Sequence, residues 1–99
     1  MVEKLSTEEE IDRASKVFSA LSSPTRLKIL FIISETKRPL HIKAVAKALK
    51  MDYAAVYRHV EVLKKAKLLE IYEVGRSRVL SPLNIDMVKR FIQLAKEVI

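Results

Sequence analysis

The 99-residue chain contains no cysteine and no tryptophan, one glycine (Gly75), three prolines and only two amide side chains, Asn84 and Gln93. Without cysteine neither a disulfide nor a thiolate metal site can form, and a chain that manages without cross-links suits the cytoplasm. A single glycine excludes a glycine-rich loop that cradles phosphates. No nucleophile and base stand in a recognisable catalytic arrangement, so the sequence reads as that of a non-enzyme. It also lacks an apolar run long enough for a bilayer and an arginine-rich targeting segment, and no membrane partner is expected.

What is abundant is positive charge, and it is unevenly placed. The formal net charge is +7, yet residues 1–12 hold five acids against one base, so the remainder carries 18 bases against 7 acids. A body near +11 attracts polyanions, and nucleic acid is a better partner for it than a lipid surface. With 49% apolar residues, the length suits one compact core, so residues 1–99 are expected to form one domain.

The punctuation of the chain divides it into short elements. Ser6 or Thr7, each with a glutamate three residues on, can form a capping box that opens a helix running to about Leu21. Its apolar positions Ile11, Ala14, Phe18 and Leu21 recur at helical spacing and define one stripe expected to be buried. Ser23 as N-cap and Pro24 at the first helical position start a second helix to about Ser34, apolar over more than one face as a core helix should be. Ile42, Val45, Ala46 and Leu49 predict a short amphipathic helix over 42–49. Lys50, Met51 and Asp52 then make a turn, with Asp52 as N-cap of a helix over about 53–66 that buries Val56, Val60 and Leu63. Two helices joined by three residues read as helix-turn-helix. The run 69–74 is rich in β-formers, and 78–81 can pair back on it around Gly75, Arg76 and Ser77 as a two-stranded hairpin. Pro82 ends the hairpin, and Asn84 can cap a last helix to Ile99.

Helix, helix, helix-turn-helix, hairpin, helix is the order of a winged helix: mainly α, about five helices plus a two-stranded wing. Three motifs narrow the match. Residues 20–30, Ala-Leu-Ser-Ser-Pro-Thr-Arg-Leu-Lys-Ile-Leu, resemble the Leu-x-x-Pro-Thr-Arg-x-x-Ile-Leu signature of the ArsR (arsenic-repressor) family. Residues 56–63, Val-Tyr-Arg-His-Val-Glu-Val-Leu, are similar to that family's recognition helix, and Gly75-Arg76 falls where its wing carries Gly-Arg. The resemblance implies a DNA-binding transcriptional regulator, most often a repressor, that dimerises through its first and last helices. It does not extend to metal sensing. His41 and Lys43 stand where many members have a Cys-x-Cys pair, and the last helix offers Asp86 but no histidine. Lys50 also replaces the usual glycine of the motif turn. No metal and no cofactor is therefore expected, and the residues do not name a small-molecule effector.

A recognition helix reads bases with outward side chains near its N-terminus. Tyr53, Ala54, Ala55, Tyr57 and Arg58 meet that requirement: arginine can bond guanine O6 and N7 together, and the alanines permit close approach to thymine methyls. For the tyrosines the plainer alternative is a ring packed on the core with its hydroxyl in water, an alternative that weighs more for Tyr72 than for Tyr57. Arg76, Ser77 and Arg78 sit near the wing tip, where little packing can hold them, and are expected on phosphate or in the minor groove. Lys43, Lys47 and Lys64 widen the electrostatic footprint. Arg26 suits either a phosphate or an internal partner, and His59, with no second ligand nearby, suits a structural bond. The last helix carries two apolar stripes, Ile85, Val88, Ile92, Ala95 and Ile99 beside Met87, Phe91, Leu94 and Val98, more than one small core needs. A second copy meeting Ile11, Phe18, Met87, Phe91, Leu94 and Val98 would cover the excess and set two recognition helices on a pseudopalindrome. Two other readings share the fold: a sequence-tolerant chromatin or architectural protein of the nucleoid, and a winged helix that binds protein instead.

Overall fold

A computed structural model describes residues 7–99. Five helices and three short strands follow one another as α1 (Glu8–Leu21), α2 (Pro24–Glu35), β1 (Leu40–His41), α3 (Ile42–Leu49), α4 (Tyr53–Lys65), β2 (Leu69–Val74), β3 (Ser77–Pro82) and α5 (Ile85–Val98). The sheet is antiparallel with β3 in the middle. The expected two-stranded wing is thus a three-stranded sheet: Leu40 pairs with Leu80 and His41 with Val79. Two residues are too short for any period to show in the sequence. The hairpin itself is tighter than expected, because Ser77 pairs with Val74 and leaves a loop of only Gly75 and Arg76. Positive φ at Gly75 (62°) and not at Arg76 is the pattern of a type II′ turn, whose twist matches that of the strands.

Helix ends follow local chemistry. The Thr7 hydroxyl accepts from the Glu10 amide and the Ser23 hydroxyl from the Arg26 amide, so α1 and α2 begin as the sequence indicates. The Ser6 alternative lies outside the described residues. Asp52 and Asn84 occupy the N-cap positions of α4 and α5, yet neither side chain caps. Asn84 sits instead at φ 55° and donates from its amide to the Lys67 carbonyl, tying the start of α5 to the end of α4. Helices α3 and α4 both close through lysines in the left-handed region, Lys50 (φ 55°) and Lys67 (φ 64°). The Met51 amide bonds the Ala46 carbonyl and the Leu68 amide bonds the Leu63 carbonyl, the six-to-one bond of a Schellman closure, where glycine is the usual residue. An L-residue there is strained by about 1 kcal/mol or a little more. Lys50→Gly is therefore expected to raise the unfolding free energy by about 1 kcal/mol, less the entropy that glycine gives the unfolded chain. Urea melts of the two proteins check this; an unchanged or lowered midpoint would contradict it.

The core gathers Ile29, Leu30 and Ile33 of α2, Ile42, Val45 and Ala46 of α3, Val56, Val60 and Leu63 of α4, Leu68, Leu69, Leu80, and Val88 of α5. Every amphipathic element gives it one face, and α2 gives it more than one. The α1 stripe departs from expectation: the buried residue of the helix is Ala20, which lies outside the stripe, while Ile11 and Phe18 are 59% and 57% exposed. Helical spacing marks a common face and cannot say whether the same chain covers it. Phe18 meets Phe91 edge-to-face, with ring centroids 5.8 Å apart, so α1 and α5 join into one apolar surface. Among the described residues no single helix is long and apolar enough to cross a membrane; the bent pair α1 and α2 passes on length and composition only, and α2 is the core helix.

Candidate nucleic-acid interface

Helix α3, the N-terminus of α4 and the wing enclose an open groove of about 530 Å³, lined by His41, Lys43, Ala44, Lys47, Tyr53, Arg76, Ser77 and Arg78. Six of the eleven residues expected to contact DNA are thereby brought together from three parts of the chain. The β1–β3 pairing fixes His41 and the start of α3 beside the wing, which is why His41 and Ala44 join the lining. Nothing in their own residue type would have selected them. Four cations and no carboxylate line this groove, so it carries a concentrated positive potential.

The other expected contacts spread along α4. Tyr53, Ala54 and Arg58 are exposed, whereas Ala55 and Tyr57 are half-buried. Ala54 and Arg58, four residues apart, share one outward line on the helix. Lys64 is exposed in the last turn, eleven residues and about 16 Å along the axis from Tyr53. The two tyrosines exchange the roles suggested by the sequence: Tyr57 packs against the core, while Tyr72 is 52% exposed. Strand register decides this, since Tyr72 faces away from the side on which Leu69, Ile71 and Leu80 meet the helices.

Arg78 is likewise held more firmly than a place near the wing tip implies. Its guanidinium carbon lies 4.8 Å from the centre of the Tyr57 ring, and its Nε lies 3.9 Å from the Glu73 carboxylate. Tyr57 in turn stacks on Tyr53 with centroids 6.3 Å apart and planes 12° from parallel. Tyr57 titrates above its ordinary range, first because of the neighbouring Glu61 carboxylate and then because of burial.

Arg26 is committed inside the protein. Its Nε donates to the Ala20 carbonyl at 2.7 Å, its Nη2 to the Ser19 carbonyl at 3.1 Å, and its Nη1 lies 3.2 Å from His59 Nδ1. It satisfies the open carbonyl end of α1 and ties that end to α4, which is the internal role of the two that the sequence allowed. Because a guanidinium only donates, His59 Nδ1 must accept, which fixes a neutral ring protonated at Nε2. Burial, followed by the charges of Arg26 and Arg58, holds the His59 pKa below its ordinary 6.5. The unfolded chain therefore takes up this proton first as pH falls, and stability declines with decreasing pH below about 6.5 while being unaffected above it. The thermal midpoint of the wild type is expected to fall between pH 7 and 5 by more than that of His59→Gln, which keeps an acceptor for Arg26 and cannot charge. Equal declines in the two proteins would contradict the assignment.

Among the described residues, no three histidine or carboxylate side chains gather where they could hold a metal ion. A helix-turn-helix backed by a three-stranded wing defines a winged helix-turn-helix domain. The chain belongs to the HVO_A0114 family, whose model matches residues 21–89. It is similar to two uncharacterized HTH-type transcriptional regulators of Methanocaldococcus jannaschii. MJ0229 is 42% identical over 55 residues, 56% of this chain, and the match spans little more than half of that protein, 56% of its length. MJ1325 is 29% identical over 89 residues, 90% of this chain and 98% of its own. Among solved structures, the homodimeric winged helix-turn-helix DNA-binding domain of Mb0332 from Mycobacterium bovis, a possible ArsR-family regulator, superposes with a TM-score of 0.78. It is 22% identical, and the match covers 99% of this chain and 88% of that one. The ArsR resemblance therefore holds at the level of the fold.

Proposed function

We propose that this chain is a transcriptional regulator that binds duplex DNA as a homodimer. Helix α4 enters the major groove, with Tyr53, Ala54, Ala55 and Arg58 toward the bases and Tyr57 packed against the core beneath Arg78, and the wing with Arg76 and Ser77 lies on the adjacent backbone. Lys43, Lys47 and Lys64 contact phosphates on either side. The observation that carries this reading is the acid-free groove between α3, α4 and the wing, where cations converge at the end of α4 best placed to meet base edges. The names of the relatives support it: MJ0229 and MJ1325 as HTH-type regulators, and Mb0332 as a homodimeric DNA-binding domain.

The α1–α5 surface supports the dimer. Ile11, Phe18, Met87, Leu94 and Val98 are exposed and Phe91 is half-buried, a set of large apolar side chains on two helices joined at Phe18 and Phe91 of the kind that marks an interface. Residues 1–99 act as one domain in this reading, with α1 and α5 supplying the two-fold interface. Occlusion of the duplex it covers makes repression the implied mode of regulation.

Titration of fluorescent duplex at a series of salt concentrations tests the reading. The wild type is expected to bind with log K falling linearly in log salt, by about 0.9 per phosphate engaged. Arg76→Ala should flatten that slope by about 2, one contact from each wing of the dimer. No binding at moderate salt, or identical slopes for the two proteins, would overturn it.

A further inference from the structure

The two arginines flanking Ser77 have different surroundings, although the sequence treats them alike. Arg76 lies in the turn and is exposed. Arg78 lies on β3 directly across the ladder from Glu73, with its guanidinium over Tyr57 and its Nε toward the Glu73 carboxylate. Tyr53 stacks on Tyr57 in turn. Carboxylate, guanidinium and two parallel rings thus form a layered bridge from the wing to the recognition helix. The Tyr53 hydroxyl, then Tyr57, strengthen the hold of Arg78 on its proton, as close packing of acceptors around a guanidinium should.

The position of the bridge in the sheet gives it mechanical meaning. Leu69 and Leu80 anchor the base of the hairpin in the core. Strand β1 braces β3 only at Leu80 and Val79. Beyond that point β3 is held on one side by β2 alone, whose outer residues Tyr72, Glu73 and Val74 are exposed. A two-stranded ribbon of this kind has little to fix its angle to the helices, and two-stranded hairpins are marginal on their own. Arg78 ties this outer segment to α4 through its contact with the Tyr57 ring.

We infer that Arg78 is a positioning residue which latches the wing to the recognition helix, setting the angle at which Arg76 and the N-terminal face of α4 meet one duplex, and is not itself a phosphate ligand. The inference rests on the DNA-binding reading above. It reassigns one of the residues that the sequence places on DNA, and gives the Tyr53–Tyr57 stack a use inside the protein. A planar guanidinium suits this role and an ammonium does not, because the latch depends on stacking over a ring as well as on charge.

Arg78→Ala and Arg78→Lys, with Arg76→Ala as reference, separate a latch from a phosphate contact. In the absence of DNA, hydrogen exchange at the amides of residues 74–78 should be about tenfold faster in both Arg78 variants and unchanged in Arg76→Ala. On duplex, both Arg78 variants should lose about tenfold in affinity for a preferred site and narrow its margin over unrelated duplex while keeping the wild-type salt slope. Arg76→Ala should flatten that slope. Wild-type wing exchange in the Arg78 variants, retained wild-type affinity in Arg78→Lys, or a slope flattened by Arg78→Ala as much as by Arg76→Ala would each overturn the latch. Failure of the wild type to bind any duplex would overturn the DNA reading itself and the role that rests on it, and it is told apart by the exchange measurement, which needs no DNA.

Discussion

Leu94→Glu combined with Val98→Glu is expected to leave a folded monomer with half the wild-type mass in solution and a DNA affinity lower by about 10²–10⁴. Both side chains are largely exposed, at 59% and 86%, and neither joins the core, which α5 enters through Val88 with Ile85 and Ile92 packed alongside. Charge placed there meets water in the monomer and meets a second charged copy in the dimer, so folding is spared and association is not. The loss of affinity is one of effective concentration. Two recognition helices held in one particle bind as a unit, whereas separate chains must each find a half-site, and that difference accounts for the magnitude. Light scattering, circular dichroism and a duplex titration together check the outcome. A dimer of wild-type mass would show that α1 and α5 are not the interface.

Arg58→Ala is expected to have the second largest effect and a different signature. The side chain is exposed on the line it shares with Ala54. No internal hydrogen bond or ion pair is found for it among the described residues, in contrast to Arg26 and Arg78. A bidentate bond to guanine discriminates by about 1–3 kcal/mol, roughly 5- to 150-fold per half-site. Two half-sites compound the loss on the preferred duplex, while unrelated duplexes lose only the contribution of one charge per subunit. Competition titrations with preferred and unrelated DNA measure the margin between them. A uniform loss with a flattened salt slope would move Arg58 from the bases to the phosphates.

Much of this architecture is legible in the residues because it is written in local chemistry. Helix α3 spans the run that Ile42, Val45, Ala46 and Leu49 mark out, and β2 spans the β-former run from Leu69 to Val74. Gly75 stands where the chain needs positive φ. What could not be read depends on partners distant in sequence. Strand β1 exists only because Val79 and Leu80 arrive beside it. The break between α1 and α2 bends the chain by 83°, Arg26 reaches the Ser19 and Ala20 carbonyls across it, and its bond to His59 spans 33 residues. Tyr72 stands exposed because the inner face of β2 follows from its register with β3, not from its composition. The candidate interface divides in the same way. The groove cations were legible as excess charge near a helix-turn-helix, whereas the capture of Arg78 by Tyr57 and Glu73 required the hairpin to be closed to the residue.

Paired recognition helices that read one duplex from two equivalent positions leave a two-fold signature in the sequence they select. Selecting bound sequences from a random duplex pool with the wild-type protein measures this directly. The expected outcome is a two-fold symmetric consensus whose half-sites are centred about 34 Å, or one helical turn, apart. A recovered pool with no enriched sequence, bound at the same strength as the starting material, would contradict it.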